Sequence, residues 1–406
     1  MQRILFLTML LIATDALGAG FAIKDQGTKA MSMAHAFAAV ADDASAAWYN
    51  PAGIAFQEKS ALLVGGEWVN VDSQHVSATT GQRYTMDKKN HIIPYIYMGY
   101  QLDESPLSIS FAVNSPFGLA TDWTQSAAPF TQATAAKSLT YTQLKLINLN
   151  PTLAYQVSPN LSLALGVMYF DAQKVAFDSP VVVQRGKGSG VGANAALLYQ
   201  GEGFNVGLSY RSRVKIDVTG TATGGPALAG FNLQGVSAPV SVGLTTPDMA
   251  SLGVAFHASE KLLISMQADW INWKTFDQLK FNYGASALNG ALGTTQIEPE
   301  AWKAVTAYAL AGEWSIQPHQ HLRAGYAFDP SPRNPAHFSP RAADNDRHLF
   351  TLGYGQSFEG LGTWNVAYGY TQLKSLNQQV SPAATQRNGT YKASAQMLAT
   401  DFQIQF

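Results

Sequence analysis

Leu161-Ser162-Leu163-Ala164-Leu165-Gly166-Val167-Met168-Tyr169 is the stretch that decides the fold. Its odd-numbered positions are bulky and apolar, and its even-numbered positions are mostly small. Alternation with a period of two is typical of a β-strand that has apolar surroundings on one face only. The pattern recurs from Ser60 onward, for example over Ile93–Gly99 and Trp364–Tyr370. The chain is therefore predicted to be all-β.

The amino-acid composition limits the environments in which these strands can lie. The chain is 47% hydrophobic and only 13% charged, whereas soluble domains are roughly 25% charged. No window after the N-terminus holds about 18 consecutive apolar residues, which excludes helical membrane spans. The absence of cysteine excludes disulfides and thiolate metal sites. A net charge of −1 gives no electrostatic reason to expect nucleic acid as a partner.

The N-terminus has the pattern of a secretory signal peptide. Arg3 precedes the apolar run Ile4–Ile12, and Ala16-Leu17-Gly18 follows as a small-residue cleavage site. The apolar run is too short to span a bilayer. We expect residues 1–18 to be removed on export.

The next segment, residues 19–58, differs from the rest of the chain. Between Thr28 and Trp48 it is rich in alanine, which favours short helices over strands. We interpret it as a hatch that fills a larger structure, residues 59–406. The alternative is a helical hairpin packed on the outside of a soluble β-domain.

The remainder divides into about fourteen strands. They are predicted at residues 60–72, 91–102, 106–118, 140–158, 160–177, 190–200, 203–219, 241–258, 261–282, 302–317, 320–329, 346–358, 361–374 and 391–406. Links between them alternate between long and short. This alternation is typical of outer-membrane barrels, which have short periplasmic turns and long extracellular loops. The predicted fold is a 14-stranded antiparallel transmembrane β-barrel in a Gram-negative outer membrane, with the hatch starting on the periplasmic side.

Aromatic residues near the predicted strand ends suggest belts at the membrane interfaces. They are Tyr95, Tyr97, Tyr100, Tyr141, Trp270, Trp273, Trp302, Trp314 and Trp364. An ordinary aromatic core is the alternative explanation. The alternating C-terminus Phe402–Phe406 ends on an aromatic residue and resembles the signal that the barrel-assembly machinery reads.

Several short motifs are spread along nearly the whole mature chain, and they occur in the same order as in a known protein family. They are Ala19-Gly20-Phe21, Ala41-Asp42-Asp43-Ala44, Asn50-Pro51-Ala52, Ser115–Trp123, Ser209-Tyr210-Arg211-Ser212, Arg323-Ala324-Gly325-Tyr326 and Asp329-Pro330-Ser331-Pro332. Together they resemble the FadL/TodX family of outer-membrane transporters. The resemblance implies a fourteen-stranded barrel closed by an N-terminal hatch, which takes up long-chain fatty acids or hydrocarbons such as toluene and xylene. It also implies a lateral exit where the third strand kinks inward.

The resemblance places the kink and the end of the hatch in this chain, and the hypothesis of a passive transporter adds the residues of the pocket. The kink falls on Asn114, Ser115, Pro116, Phe117 and Gly118. The hatch would be held against this kink by Asn50, Pro51 and Ala52, and the apolar pocket would be lined or gated by Phe21, Ile23, Phe37 and Ile54.

Elementary chemistry also favours a break at the predicted kink. Pro116 removes a ladder hydrogen bond and Gly118 weakens strand packing. A lateral exit keeps an apolar solute out of water, which is worth about 0.8 kcal/mol per CH₂. Alternatively, Pro116 only ends the strand, and Asn50-Pro51-Ala52 is a plain turn of the kind that Asn334-Pro335-Ala336 would also form.

The charge of the ligand stays open. A carboxylate in an apolar pocket needs a partner, and Lys174, Arg185 or Lys24 are the candidates. The short link near 178–189 puts an outer groove in doubt or moves it to Pro226–Leu233. The sequence slightly favours a neutral hydrocarbon.

No catalytic, metal or cofactor motif stands out. Histidines are scattered, and no nucleophile elbow or phosphate-binding loop is present. A lipase or protease at the barrel rim is the enzyme alternative, and a diffusion porin or an adhesin is the non-enzymatic one. Expected partners are hydrophobic small molecules, outer-membrane lipid with lipopolysaccharide, and the barrel-assembly machinery. The protein is expected to be a monomer.

Overall fold

A computed structural model of the chain describes residues 20–132, 139–379 and 382–406. The predicted signal peptide lies outside these residues. In the described part the strands form one antiparallel sheet. The sheet closes because β1 (Ala61–Ser77) pairs with β3 (Asn90–Gln101) on one side and with β21 (Gly389–Gln405) on the other. Closure removes the free edges of the sheet.

The other strands follow in chain order. They are β2 (Arg83–Thr85), β4 (Leu107–Asn114), β5 (Gly118–Asp122), β6 (Tyr141–Ser158), β7 (Leu161–Asp178), β8 (Val182–Gln200), β9 (Phe204–Arg211), β10 (Lys215–Gly224), β11 (Ser237–Thr245), β12 (Met249–Ser259), β13 (Leu262–Ile271), β14 (Gln278–Tyr283), β15 (Thr295–Pro299), β16 (Val305–Gln317), β17 (Gln320–Asp329), β18 (Arg347–Phe358), β19 (Gly362–Leu373) and β20 (Leu376–Gln378).

Within the described residues these segments make fourteen barrel strands, the number predicted from the sequence. Five barrel strands are each built from two segments, namely β4–β5, β9–β10, β11–β12, β13–β14 and β15–β16. The short strands β2 and β20 extend the sheet beside β1 and β21. The links at one end are short turns, and those at the other end are long except for the link between β7 and β8.

One predicted boundary is wrong. The link placed at 178–189 is only residues 179–181, because β8 starts at Val182 and not near residue 190. The glycines of this segment lie in a strand that a neighbouring strand approaches closely. A Cβ atom on Gly188 would lie 2.5 Å from the carbonyl oxygen of Asp217.

The outer face of the barrel is apolar. On β7 the odd-numbered residues Leu163, Leu165, Val167 and Tyr169 are 43%, 69%, 51% and 42% exposed, whereas the even-numbered Met168 and Phe170 are buried inside. Such alternation is what lipid on one side and a filled lumen on the other require.

The predicted aromatic belts are partly wrong. Outward rings with substantial exposure are Tyr100, Trp270, Trp314 and Trp364. Buried rings inside the barrel are Tyr95, Tyr97, Trp273 and Trp302. Tyr95 and Tyr97 share the inward face with Ile93, and Trp273 lies in the break between β13 and β14.

The N-terminal segment fills the lumen. It contains α1 (Thr28–Ser32), α2 (Ala46–Tyr49) and a 3₁₀-helix, Pro51–Phe56, which leads into β1. Its polar contacts reach barrel strands around the circumference. The amide of Thr28 donates to Asp401 on β21 (2.9 Å), that of Phe37 donates to Gln267 on β13 (3.0 Å), and Thr351 on β18 donates to the Ser32 carbonyl (3.0 Å). The segment is therefore a plug and not an external hairpin.

The remaining helices are short. They are α3 (Asn289–Leu292) and the 3₁₀-helices Pro129–Thr131, Pro226–Phe231, Trp273–Thr275, Pro335–His337, Pro340–Ala342 and Pro382–Arg387. Among the described residues, none of the helices is long and apolar enough to cross a membrane.

Candidate functional site

The third barrel strand is broken at residues 115–117. Its first segment, β4, pairs with β3 up to the Ile96–Val113 pair, and its second segment, β5, pairs with β6. No ladder joins β3 to β5 in the described part of the chain. Pro116 has no N–H to donate to a ladder. The hydrogen-bonded wall therefore has a gap beside the break.

The first residues of the hatch bind the broken segment. Ala22 forms an isolated antiparallel bridge with Phe117. The Ile23 amide donates to the Pro116 carbonyl (2.8 Å), and the Gly118 amide donates to the Phe21 carbonyl (2.9 Å). The hatch thus supplies hydrogen bonds that a continuous wall would supply.

An aromatic cluster surrounds this bridge. The ring of Phe21 lies 4.6 Å from Trp273, 5.2 Å from Phe276, 6.0 Å from Phe117 and 6.1 Å from Trp302, between ring centroids. Tilted and edge-on pairs at such distances are each worth about 0.5–1.5 kcal/mol beyond area burial. The cluster anchors the start of the hatch and forms an apolar surface next to the break.

A cavity lies between the hatch and the barrel wall, next to the break. Its lining includes Ile23, Trp48, Pro116 and Arg211. The Arg211 guanidinium lies 3.9 Å above the Trp48 ring, and the residue is only 6% exposed. Within the described residues neither terminal nitrogen of Arg211 has a hydrogen-bond partner. The cavity therefore carries a buried positive charge that has no counter-ion in the part of the chain that the structure describes.

Lys24, a second cation at the cavity, is already paired. Its ammonium lies 3.3 Å from Asp269 and 3.7 Å from Asp329. Burial lowers the pKa of Lys24, but attraction by Asp329 and Asp269 outweighs it, so the pKa lies above its ordinary value. Lys24 therefore fastens the hatch to the wall and is not free to receive a ligand carboxylate.

Asn50, Pro51 and Ala52 were expected to hold the hatch against the kink, but the hydrogen bonds of Asn50 and Ala52 run to the hatch itself and to two other strands. The Asn50 side-chain amide donates to the carbonyls of Ala38 (2.7 Å) and Leu197 (3.0 Å). The Ala52 carbonyl accepts from the hydroxyl of Ser162 (2.7 Å). The tripeptide fastens the hatch to β7 and β8, at the end where the hatch enters β1. It begins a 3₁₀-helix, and so does Asn334-Pro335-Ala336, which shows that the sequence itself encodes only the turn.

The candidate ligand-binding residues separate into two groups. Phe21 and Ile23 lie at the break. Phe37 packs against Tyr49 (5.5 Å between ring centroids) and Ile54 packs near Gly99 on β3, so neither lines the cavity beside Arg211. Lys174 faces outside the barrel, 5.6 Å from the Tyr141 ring, because a bulge between Ala172 and Val175 reverses the alternation of β7.

A closed fourteen-stranded barrel with an apolar outer face and its own N-terminus in the lumen defines a class: the plugged outer-membrane β-barrel. The chain belongs to the family described as Outer membrane protein transport protein (OMPP1/FadL/TodX), whose model matches residues 9–183 and 179–406. The resemblance seen in the short motifs is thereby confirmed.

Curated relatives are similar to this chain over nearly their full length. The Long-chain fatty acid transport protein of Escherichia coli (strain K12) is 25% identical over 448 residues, which cover 98% of this chain and 96% of the relative. Outer membrane protein P1 of Haemophilus influenzae is 25% identical over 454 residues, which cover 97% of this chain and 95% of that relative.

Solved structures share the fold. A Pseudomonas aeruginosa FadL homologue superimposes with a TM-score of 0.79 at 17% identity, covering 96% of this chain and 100% of that one. The Ralstonia pickettii toluene transporter TbuX superimposes with a TM-score of 0.69 at 12% identity, and the match covers 95% of this chain and 98% of that one.

Proposed function

We propose that this protein takes up hydrophobic compounds passively across the outer membrane and releases them sideways through the gap between β3 and β5. The pairing of the hatch with the broken third strand carries this proposal. A ligand that enters the cavity meets Ile23 and Pro116, which are hydrogen-bonded to each other. Displacing the bridge would free the gap at Asn114–Gly118.

The filled lumen disfavours a general diffusion pore. Hatch residues Met31, Met33 and Phe37 are 0% exposed, so they are packed on all sides within the barrel. A solute can pass only if the hatch moves or if it leaves through the wall. For an apolar solute the second route avoids transfer into water.

We further propose that the preferred ligand carries a carboxylate. Arg211 is buried and its terminal nitrogens have no partner in the described residues. A guanidinium binds a carboxylate through two parallel hydrogen bonds, and a buried charge left unpaired is costly. The sequence slightly favours a neutral hydrocarbon and offers Lys174, Arg185 or Lys24 as partners of a carboxylate. Arg211 was not among these candidates, and its buried guanidinium supports a charged ligand instead.

The names of relatives are compatible with either ligand class. One curated relative is a fatty acid transport protein and one structural neighbour is a toluene transporter. Both names describe hydrophobic compounds, which differ in charge.

Palmitate and methyl palmitate test the ligand class, since they share one chain and differ in the carboxylate. Arg211→Met should lower palmitate uptake by about tenfold or more, because a hydrogen bond to a charged group is worth about 1.5–3 kcal/mol. Uptake of the methyl ester should not fall. Arg213→Met is the matched control, since Arg213 is exposed and paired with Asp248 at 2.6 Å. Equal losses for both ligands would contradict a carboxylate site.

We also propose partners that a location in the outer membrane would provide. The alternating C-terminal strand that ends at Phe406 is offered as the signal for the barrel-assembly machinery. Lipopolysaccharide would contact the outer face, and the barrel would act as a monomer.

A further inference from the structure

Tyr49 links the part of the hatch that contacts the break to the part that is fixed to the barrel wall. We propose that Tyr49 is a positioning residue, which keeps the hatch closed until a ligand fills the cavity beside Arg211. This inference rests on the proposed function, and it adds how ligand binding is coupled to opening of the gap.

The hydroxyl of Tyr49 bridges two backbone groups near the start of the hatch. It donates to the Lys24 carbonyl (2.8 Å) and accepts from the Gln26 amide (2.8 Å). The Tyr49 ring packs edge-on against Phe37, with 5.5 Å between the ring centroids. The ring is therefore held by an apolar contact, and the hydroxyl makes the hydrogen-bonded link to residues 24–26.

Residues 21–26, here called the leading segment, occupy the break. The Ile23 amide donates to the Pro116 carbonyl, and the Phe21 carbonyl accepts from the Gly118 amide. The gap between β3 and β5 can open only when the leading segment leaves these partners. A residue that holds the leading segment in place therefore also holds the gap closed.

The other side of the link is fixed to the wall. Tyr49 is the last residue of α2 and directly precedes Asn50, whose side-chain amide donates to the Leu197 carbonyl on β8 (3.0 Å). The following 3₁₀-helix leads into β1, and Gln101 on β3 donates to the Ile54 carbonyl within that helix (2.7 Å). We therefore expect the leading segment, and not α2, to move when a ligand binds.

The cavity lies between these two parts of the hatch and the wall. Its lining includes Ile23 and Lys24 of the leading segment, Trp48 and Tyr49 of α2, and Arg211 of β9. The cavity holds only about 50 Å³, whereas sites for drug-sized ligands hold about 300–1,000 Å³. An acyl chain can therefore enter only if the leading segment separates from α2. That movement breaks the hydrogen bonds of the Tyr49 hydroxyl, because they join the two parts.

The hydrogen bonds of Tyr49 consequently oppose ligand binding. A ligand shifts a conformational equilibrium only by the difference in its affinity for the two states, and here the closed state lacks room for the ligand. The apparent affinity is that of the open state reduced by the fraction of molecules that are open. Because closure and binding are linked, removing the hydroxyl should loosen the leading segment and tighten ligand binding together.

Tyr49→Phe tests the coupling, since it removes the hydroxyl and keeps the ring against Phe37. The dissociation constants of palmitate and methyl palmitate are measured by isothermal titration calorimetry on the detergent-purified protein. Both ligands should bind about fivefold more tightly to the variant. Without ligand, the amides of Ile23 and Gly118 should exchange their hydrogens faster. Tyr155→Phe, at a 46% exposed position on the outer face of β6, is the matched control and should change neither quantity.

Tighter binding separates a coupling role from a structural one. A residue that only supported the site would weaken binding when its hydroxyl is removed. Unchanged or weaker binding of both ligands by Tyr49→Phe would therefore overturn the proposal. An equal gain for palmitate and methyl palmitate would support it even if Arg211→Met affects both ligands alike, a result that would contradict the carboxylate site and not the coupling.

Discussion

The side chain of Gln26 forms two hydrogen bonds with the backbone of Ser115. Its Nε2 donates to the Ser115 carbonyl (3.0 Å), and its Oε1 accepts from the Ser115 amide (3.2 Å). Gln26 is fully buried. One hatch side chain therefore takes the place of a neighbouring strand at the point where the third barrel strand breaks.

Gln26→Leu should loosen the hatch from the break. The variant leaves the Ser115 amide and carbonyl buried without these partners, which costs about 1–3 kcal/mol per group. Hydrogen exchange of the amides of Ile23 and Gly118 should become faster. Gln372→Leu, at an exposed position on β19, is the matched control. Unchanged exchange in Gln26→Leu would show that the pairing does not hold the hatch.

Lys24→Met should destabilise docking of the hatch. The substitution leaves Asp269 and Asp329 without the cation between them, and breaking a buried pair costs about 3–5 kcal/mol. Limited proteolysis of folded barrels should cut the hatch faster. The triple variant Lys24→Met/Asp269→Asn/Asp329→Asn should restore most of the protection. Lys59→Met is the control, and equal protection in Lys24→Met would refute the role of the pair.

The hatch should hold less firmly as pH rises toward neutrality. Burial, with the charges of Asp42 and Asp401, raises the pKa of Asp43 from 3.8 to about 7. A raised carboxyl pKa means that the docked hatch binds the proton more tightly than the released hatch does. The stabilisation of the docked hatch by protonated Asp43 is therefore complete below about pH 4 and is lost by about pH 7. Over this range the free energy of docking changes by no more than about 1.4 kcal/mol per pH unit.

Asp43→Asn should remove this dependence. The amide keeps an acceptor for Ser45, whose amide donates to Asp43 at 2.8 Å. Protection factors for residues 43–50, corrected for intrinsic exchange, should fall between pH 5 and pH 7.5 in the unmodified protein and stay level in the variant. Parallel curves would mean that Asp43 does not set the pH response.

The barrel was predictable from the sequence because its signals are local. Alternation of apolar and small or polar residues along each strand indicates that one face contacts lipid. Pro116 marks a position that cannot donate a hydrogen bond to a ladder. What fills the break was not predictable. Gln26 and Ser115 are 89 residues apart, and no local pattern joins them.

Two site residues show where the alternation of side chains along a strand predicts the face correctly and where it does not. Arg211 follows the outward residues Leu208 and Tyr210, so alternation alone could have placed its charge inside the barrel. Lys174 was misplaced because one bulged residue reverses the face of every side chain beyond it. A bulge leaves no reliable mark in a single sequence.

Locking the hatch to the break tests the central claim most directly. The chain contains no cysteine, and Ala22 and Phe117 form a bridge flanked by the hydrogen bonds of their neighbours, which is the close type of antiparallel pair. Palmitate uptake should therefore be lost in oxidised Ala22→Cys/Phe117→Cys and return on reduction, while both single variants stay insensitive to oxidant. Equal uptake by the oxidised and reduced double variant, with the disulfide shown to be formed, would contradict a lateral route gated by the hatch.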